Sequence, residues 1–202
     1  MRKTQPDRLP PQSEVQLARR GVGRRAVLKG GVALVLSGAR NAGAQSDAAS
    51  IRPKEGDLLV RVGDTAARPL TPGDIVVGSA QTMAWPLDPI DGTVRSGSRL
   101  NRILLVRFDA VELSPETRSR AADGVVAYTA ICTHTGCEVI DWRADEQLLH
   151  CPCHYSRFDP KDNARVVDGP APRTLPALPL QTIDGKLVVA KPFVTRVGFE
   201  QP

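Results

Sequence analysis

Aromatic residues make up only 4% of this 202-residue chain, so any core it forms must be built mainly from aliphatic side chains. Histidine is scarce, at three, and cysteine stops at four. That supply excludes most metal constellations. Long apolar runs are missing too. The greasiest stretch near the start, residues 30–39, has ten residues before Arg40, whereas a spanning helix needs about 20. There is no internal repeat and no low-complexity tract, and no nucleophile with an acid–base pair stands out. The length excludes a large oxygenase, a molybdenum enzyme and a multi-span membrane protein.

Charge of one sign is lacking once the chain is divided. The formal net charge is +5, but residues 1–44 carry nine Lys/Arg against only Asp7 and Glu14. The remaining 18 basic and 20 acidic residues leave the body slightly acidic. A nucleic-acid partner therefore loses its main support. A body of this length still buries roughly 70% of its chain surface without staples.

The leader contains Gly23-Arg24-Arg25-Ala26-Val27-Leu28-Lys29 and then the uncharged stretch 30–39. It resembles a twin-arginine export signal, with Ala42-Gly43-Ala44 as a small-x-small site and cleavage after Ala44. The resemblance implies a protein exported folded to the periplasm, with its cofactor already inserted. Membrane contact would come only through an uncleaved leader. Residues 45–56 are small and polar and read as a linker.

From residue 57 to 202 the chain shows short apolar runs separated by Gly, Pro and Asp. Strands are expected over 58–62, 75–77, 103–108, 125–131, 138–142, 147–150, 165–167 and 187–190. One short helix is expected, with Ser114 as N-cap, Pro115 at the first position and Gly124 as its stop. The body is thus all-β, a sandwich or barrel. Residues 79–102 read as a long surface excursion.

The chemistry concentrates in two loops. All four cysteines fall within residues 132–153 and all three histidines within 134–154. The first group is Cys132-Thr133-His134-Thr135-Gly136-Cys137 and the second is Cys151-Pro152-Cys153-His154-Tyr155-Ser156. A buried structural cysteine normally stands alone among apolar neighbours; these have Thr, His, Gly and Pro beside them. Each group offers one thiolate and one imidazole, and the sixteen residues between His134 and Cys151 leave room for a hairpin that joins the loops.

Cys132-x-His134 with Cys151-x-x-His154 resembles the Rieske [2Fe–2S] signature, most strongly over residues 125–172. The resemblance implies one [2Fe–2S] cluster, with Cys132 and Cys151 on one iron and His134 and His154 on the other through Nδ1. It implies a disulfide between Cys137 and Cys153, which suits an oxidising compartment. It assigns Gly169, Pro170, Ala171 and Pro172 to the loop that covers the cluster, and Gly136 and Ser156 to its surroundings. Ser156 matches a serine that bonds a bridging sulfide. Phe158 stands where high-potential members have a tyrosine, so one donor is missing. His150 has no place in the pattern and reads as a strand-end histidine. The implied fold is an antiparallel β base with an inserted cluster-binding subdomain at about 128–172.

The ligand set has a reason. Two ferric ions, two sulfides and two thiolates sum to a neutral site, whereas four thiolates would leave it anionic before any electron arrives. Neutral imidazoles therefore move the potential from about −400 mV into the range of about −150 to +300 mV. Their outer nitrogens can carry a proton, and added electron density raises their basicity.

A structural zinc site is the plainer alternative, but C-x-H and these cysteine spacings suit it poorly. An oxygenase would need a second iron site, for which only His150 is left over. A soluble Rieske ferredoxin would lack the Cys137/Cys153 pair and the leader. Two exported roles remain as expectations. One is the small subunit of a periplasmic molybdenum enzyme resembling arsenite oxidase; the other is the iron–sulfur subunit of a cytochrome bc1-type complex. Both relay single electrons and imply a redox partner subunit and a c-type cytochrome acceptor.

Overall fold

The computed structural model describes residues 47–199. The leader over residues 1–44, its cleavage site and the first residues of the linker lie outside the described residues. Among the described residues no helix is long and apolar enough to cross a membrane.

Ten strands run in chain order: β1 (Leu58–Arg61), β2 (Thr82–Leu87), β3 (Ile103–Arg107), β4 (Val125–Thr129), β5 (Asp141–Arg143), β6 (Leu148–His150), β7 (Arg157–Asp159), β8 (Arg165–Asp168), β9 (Leu180–Ile183) and β10 (Lys186–Val189). A six-stranded sheet has the order β4-β3-β2-β1-β10-β9, and a four-stranded sheet has β5-β6-β7-β8. Every named pairing is antiparallel. The small sheet is inserted between β4 and β9. The large one closes on itself, because Leu178 N–H donates to Ala127 O at 2.9 Å and Thr129 N–H to Pro176 O at 3.0 Å. The edge of β4 is thus paired rather than exposed.

Side chains alternate across a strand, and β3 and β4 exploit this on both faces. Ile103, Leu105, Val125 and Ala127 point into the core of the closed sheet with Leu59, Leu180 and Leu187. Leu104, Val106, Val126 and Tyr128 point the other way and join a second core with Leu149, Phe158, Ala164 and Leu175 of the insertion. Cys132 and Cys151 belong to this second core. The insertion is therefore seated on the outer face of β3 and β4, and Tyr128 ties it down by donating to Pro160 O at 2.8 Å.

Several expectations are corrected. Residues 79–102 are not a surface excursion: they contain β2, which lies inside the large sheet. Pro86 lies beyond the stretch of β2 that pairs with β3, so its missing N–H leaves no gap in that ladder. The same region supplies Arg95, which is 2% exposed and bridges Asp57 at 2.7 Å and Asp88 at 2.7 Å. Its hydrogen bond to Asp57 raises the guanidinium above its ordinary pKa.

The expected strand at 75–77 is instead the exit from a 3₁₀ turn, Pro72–Asp74, with one isolated bridge from Val77 to Arg107. The α-helical turn capped by Ser114 covers only Pro115–Arg118. The Ser119 hydroxyl takes the Glu116 carbonyl at 2.7 Å, and Arg120 N–H falls back to Thr117 O at 3.1 Å, which ends the helix early. Gly124 is not its stop. Asp123 and Gly124, at φ of 49° and 80°, form the two-residue turn before β4. Residues 47–50 are also helical, and the stretch read as a linker is held to the body by Asn101, whose Nδ2 donates to Ile51 O at 2.7 Å.

Candidate metal centre

Two loops leave the second core side by side. The first runs from the end of β4 through residues 132–137 and is closed by Cys132 N–H donating to Cys137 O at 2.8 Å and Gly136 N–H to Cys132 O at 3.1 Å. The second links β6 to β7 and is closed by Cys151 N–H to Ser156 O at 2.9 Å and Tyr155 N–H to Cys151 O at 2.9 Å. Tyr155 takes φ of 63°, a left-handed conformation that turns the chain back beneath the loop. A disulfide between Cys137 and Cys153 joins the loops, with a Cα–Cα distance of 6.5 Å.

The structure brings all four expected ligand residues together. The rings of His134 and His154 stand edge to face, with centroids 4.6 Å apart. Cys132 and Cys151 lie beneath, free of any disulfide and each 1% exposed. Burial, above all, pushes the Cys132 thiol up to about 11; the His134 N–H pulls the other way, and the neighbouring Cys151 adds to the rise. Such a thiol is a poor nucleophile at neutral pH. Nδ1 of His134 is buried and, among the described residues, has no hydrogen-bond partner. An orphaned nitrogen beside two desolvated thiols is costly for a protein on its own. Cations at this position would satisfy all three, so the donor set fits an iron–sulfur cluster. Cys137, Cys151 and Cys153 place their sulfurs within 4.8 Å of one another, but two of those sulfurs are bonded to each other.

The segment 169–173, expected to cover the cluster, is held by two hydrogen bonds and one close backbone approach. Ser156 is buried and its Oγ accepts from Ala171 N–H at 3.1 Å. The hydroxyl proton is left for the Cys132 sulfur, with which Ser156 lies in hydrogen-bonding contact. Gly169 has φ of +87°, and a Cβ there would lie 2.5 Å from Ser156 Cα, so this position requires glycine. Thr133 Oγ1 donates to Arg173 O at 2.7 Å, which ties the end of this segment to the 132–137 loop. Ala171 is buried, while Gly169, Pro170 and Pro172 are exposed. Phe158 is fully buried in β7, opposite Leu149. His150 sits at the end of β6, with Nδ1 3.4 Å from Asp141 Oδ2 and its ring stacked on Tyr155 at 5.9 Å.

Sequence reasoning missed the Thr133–Arg173 tether and the contact of Arg99 with Gly136, whose carbonyl accepts from Arg99 Nη1 at 2.7 Å. Nothing in the local sequence signals either, because the partners are 40 and 37 residues apart.

Closed antiparallel base, inserted sheet and paired Cys/His loops together define a Rieske-type iron–sulfur protein. Residues 101–179 match the family model for the Rieske [2Fe–2S] domain, and this segment, which holds both Cys/His loops, is a Rieske domain with one [2Fe–2S] cluster. It is 40% identical to a protein of Haloferax mediterranei named as a Rieske subunit of respiratory nitrate reductase, over 52% of this chain and 47% of that one. It is 46% identical to the Rieske iron–sulfur subunit of the cytochrome bc1 complex of Corynebacterium diphtheriae, over 36% of this chain and 18% of that one. Among solved structures, the soluble domain of Rieske protein II from Sulfolobus acidocaldarius is 25% identical, over 44% of this chain and 61% of that one, with a TM-score of 0.36. The chain spans about half or less of the length of these curated relatives.

Proposed function

We propose that this chain is an exported electron carrier, and that it serves as the small subunit of a periplasmic molybdenum oxidoreductase resembling arsenite oxidase. The observation that carries the relay role is the pairing of His134 and His154 at 4.6 Å over two buried free thiols. Cys132 and Cys151 would hold one iron through Sγ, and His134 and His154 the other through imidazole nitrogen. When bound, the cluster supplies a one-electron couple close to the surface.

The residues of the chain do the rest. His154, Tyr155 and Cys153 are exposed, so the outer nitrogen of His154 is the one that meets a partner and holds or releases a proton. Leu149, Phe158 and Ala171 keep water from the inner side. The Cys137–Cys153 bond holds the two loops at a fixed separation. The leader, which resembles a twin-arginine signal, and the run His154-Tyr155-Ser156-Arg157-Phe158-Asp159, which resembles arsenite-oxidase-like small subunits in having Phe at this position, favour the molybdenum-enzyme reading. A relative named as a Rieske subunit of a respiratory reductase is in keeping with it.

A second reading, the iron–sulfur subunit of a bc1-type complex, is favoured by the covering loop of Gly169, Pro170, Ala171 and Pro172 and by the similarity to bc1 subunits. Purification of the mature protein from periplasm decides between them. A mass that starts at Gln45, with electron transfer to a c-type cytochrome, supports the soluble relay; an intact leader in a membrane fraction with quinol oxidation supports the second. Iron-free protein, without a paramagnetic signal after dithionite, would sink both.

A further inference from the structure

After β10 the chain does not simply trail away. Phe193 packs against the core of the closed sheet, and Val194 N–H donates to Ala177 O at 3.0 Å. The segment then crosses to the metal centre. Gly198 is buried, and its carbonyl accepts from Arg173 at 2.5 Å. Arg173 is the residue whose own carbonyl holds Thr133, in the first ligand loop. The Phe199 ring lies over Gly136: a Cβ there would come within 2.8 Å of Phe199 Cδ1 and 3.3 Å of Arg99 Nη2. Arg99 closes the other side through its bond to the Gly136 carbonyl. The loop that carries Cys132 and His134 is therefore gripped between a ring from beyond β10 and a guanidinium from before β3.

We propose that residues 192–199 form a strap that positions the first ligand loop, with Phe199 and Arg99 as its positioning residues. Neither touches the reacting atoms. Phe199 removes water from the Gly136 peptide, and Arg99 fixes the direction of its carbonyl. Together they limit how far the backbone between Cys132 and Cys137 can move, and with it His134. The second loop, 151–156, depends on Ser156 and the disulfide instead. The proposal rests on reading 132–137 as a ligand loop, and a local measurement separates the two ideas.

The test uses full-length holoprotein carrying Phe199→Ala, Phe199→Tyr or Arg99→Met. Amide hydrogen exchange is followed segment by segment, together with the redox midpoint. Phe199→Ala is expected to speed exchange in 132–137 by tenfold or more and to leave β3 and β10 within twofold of wild type. Its midpoint is expected to rise, because water reaching the loop stabilises the added electron. Phe199→Tyr should restore both readings, and Arg99→Met should reproduce the faster local exchange. Unchanged exchange in 132–137, or an equal acceleration everywhere, would overturn the strap. A wild type without the paramagnetic signal would overturn the cluster reading instead, and the exchange comparison would still decide the strap.

Discussion

Phe158 shows how much one oxygen atom can matter. It is fully buried in the second core, which also holds Cys132 and Cys151, at the position where the resemblance to high-potential Rieske proteins implies a tyrosine hydroxyl. Phe158→Tyr is expected to raise the midpoint potential, because a donor aimed at a ligand sulfur stabilises the reduced state; a redox titration in which the midpoint stays put or falls would refute this. Ser156→Ala should lower the midpoint. It also removes the acceptor for Ala171 N–H, so the covering loop should exchange its amides faster. Gly169→Ala should abolish cluster content in purified protein, measured as iron per chain, since its Cβ would overlap the Ser156 backbone. The ligand-type residues were legible in the sequence because Cys, His, Gly and Pro are dense there and their spacing is local. The tethers from Arg99, Arg173 and Phe199 were not, because each joins residues far apart in the chain.

Among the elements, strands with long aliphatic runs announced themselves, and β3 and β4 lie where their Val, Leu and Ile residues predict. The missed strands lack that signature. β2 carries Trp85-Pro86 and sits among turn residues. β7 is the short Arg-Phe-Asp run, and β9 begins with Leu180 and mixes Gln and Thr. The Asp184-Gly185 pair, at φ of 48° and 74°, forms the turn between β9 and β10 and was the signal that could have found β9. Tyr128 belongs to this scale, because it fastens an element rather than a cofactor. Tyr128→Phe leaves the buried Pro160 carbonyl without its donor, at an expected cost of about 1–3 kcal/mol. Urea unfolding followed by far-ultraviolet dichroism measures it.

For the molecule as a whole, the Asp57–Arg95–Asp88 group is the polar counterpart of the two cores. Arg95 donates to both oxygens of Asp57, at 2.7 Å and 3.0 Å. Asp57→Ala should lower stability by about 3–5 kcal/mol, because the buried guanidinium loses its main partner; a loss well under 1 kcal/mol in chemical denaturation would show that Asp88 alone suffices. Acid should act through the carboxylates whose pKa values folding lowers, Asp88 of this group among them. Backbone N–H donors, chiefly those of Ala66, Thr71 and Ile90, hold Asp64, Asp74 and Asp88 below the ordinary aspartate range. A lowered carboxylate contributes fully above its unfolded value of about 3.9, and that contribution is lost as pH falls through the lower folded value. Melting temperature should therefore be insensitive to these groups between pH 5 and 8, as order-of-magnitude bounds, and fall only below about pH 4. A melting series across that interval checks it.

The two faces of β3 and β4 impose a limit on motion. With Leu104 and Leu105, or Val125 and Val126, committed to opposite cores by their place in a single backbone, any pivot of the inserted sheet would disturb both cores at once. Prying it from its seat would strip apolar side chains from shared strands and loosen the barrel as well. Whatever distance an electron must be ferried to its recipient, the described body would have to make the journey in one piece.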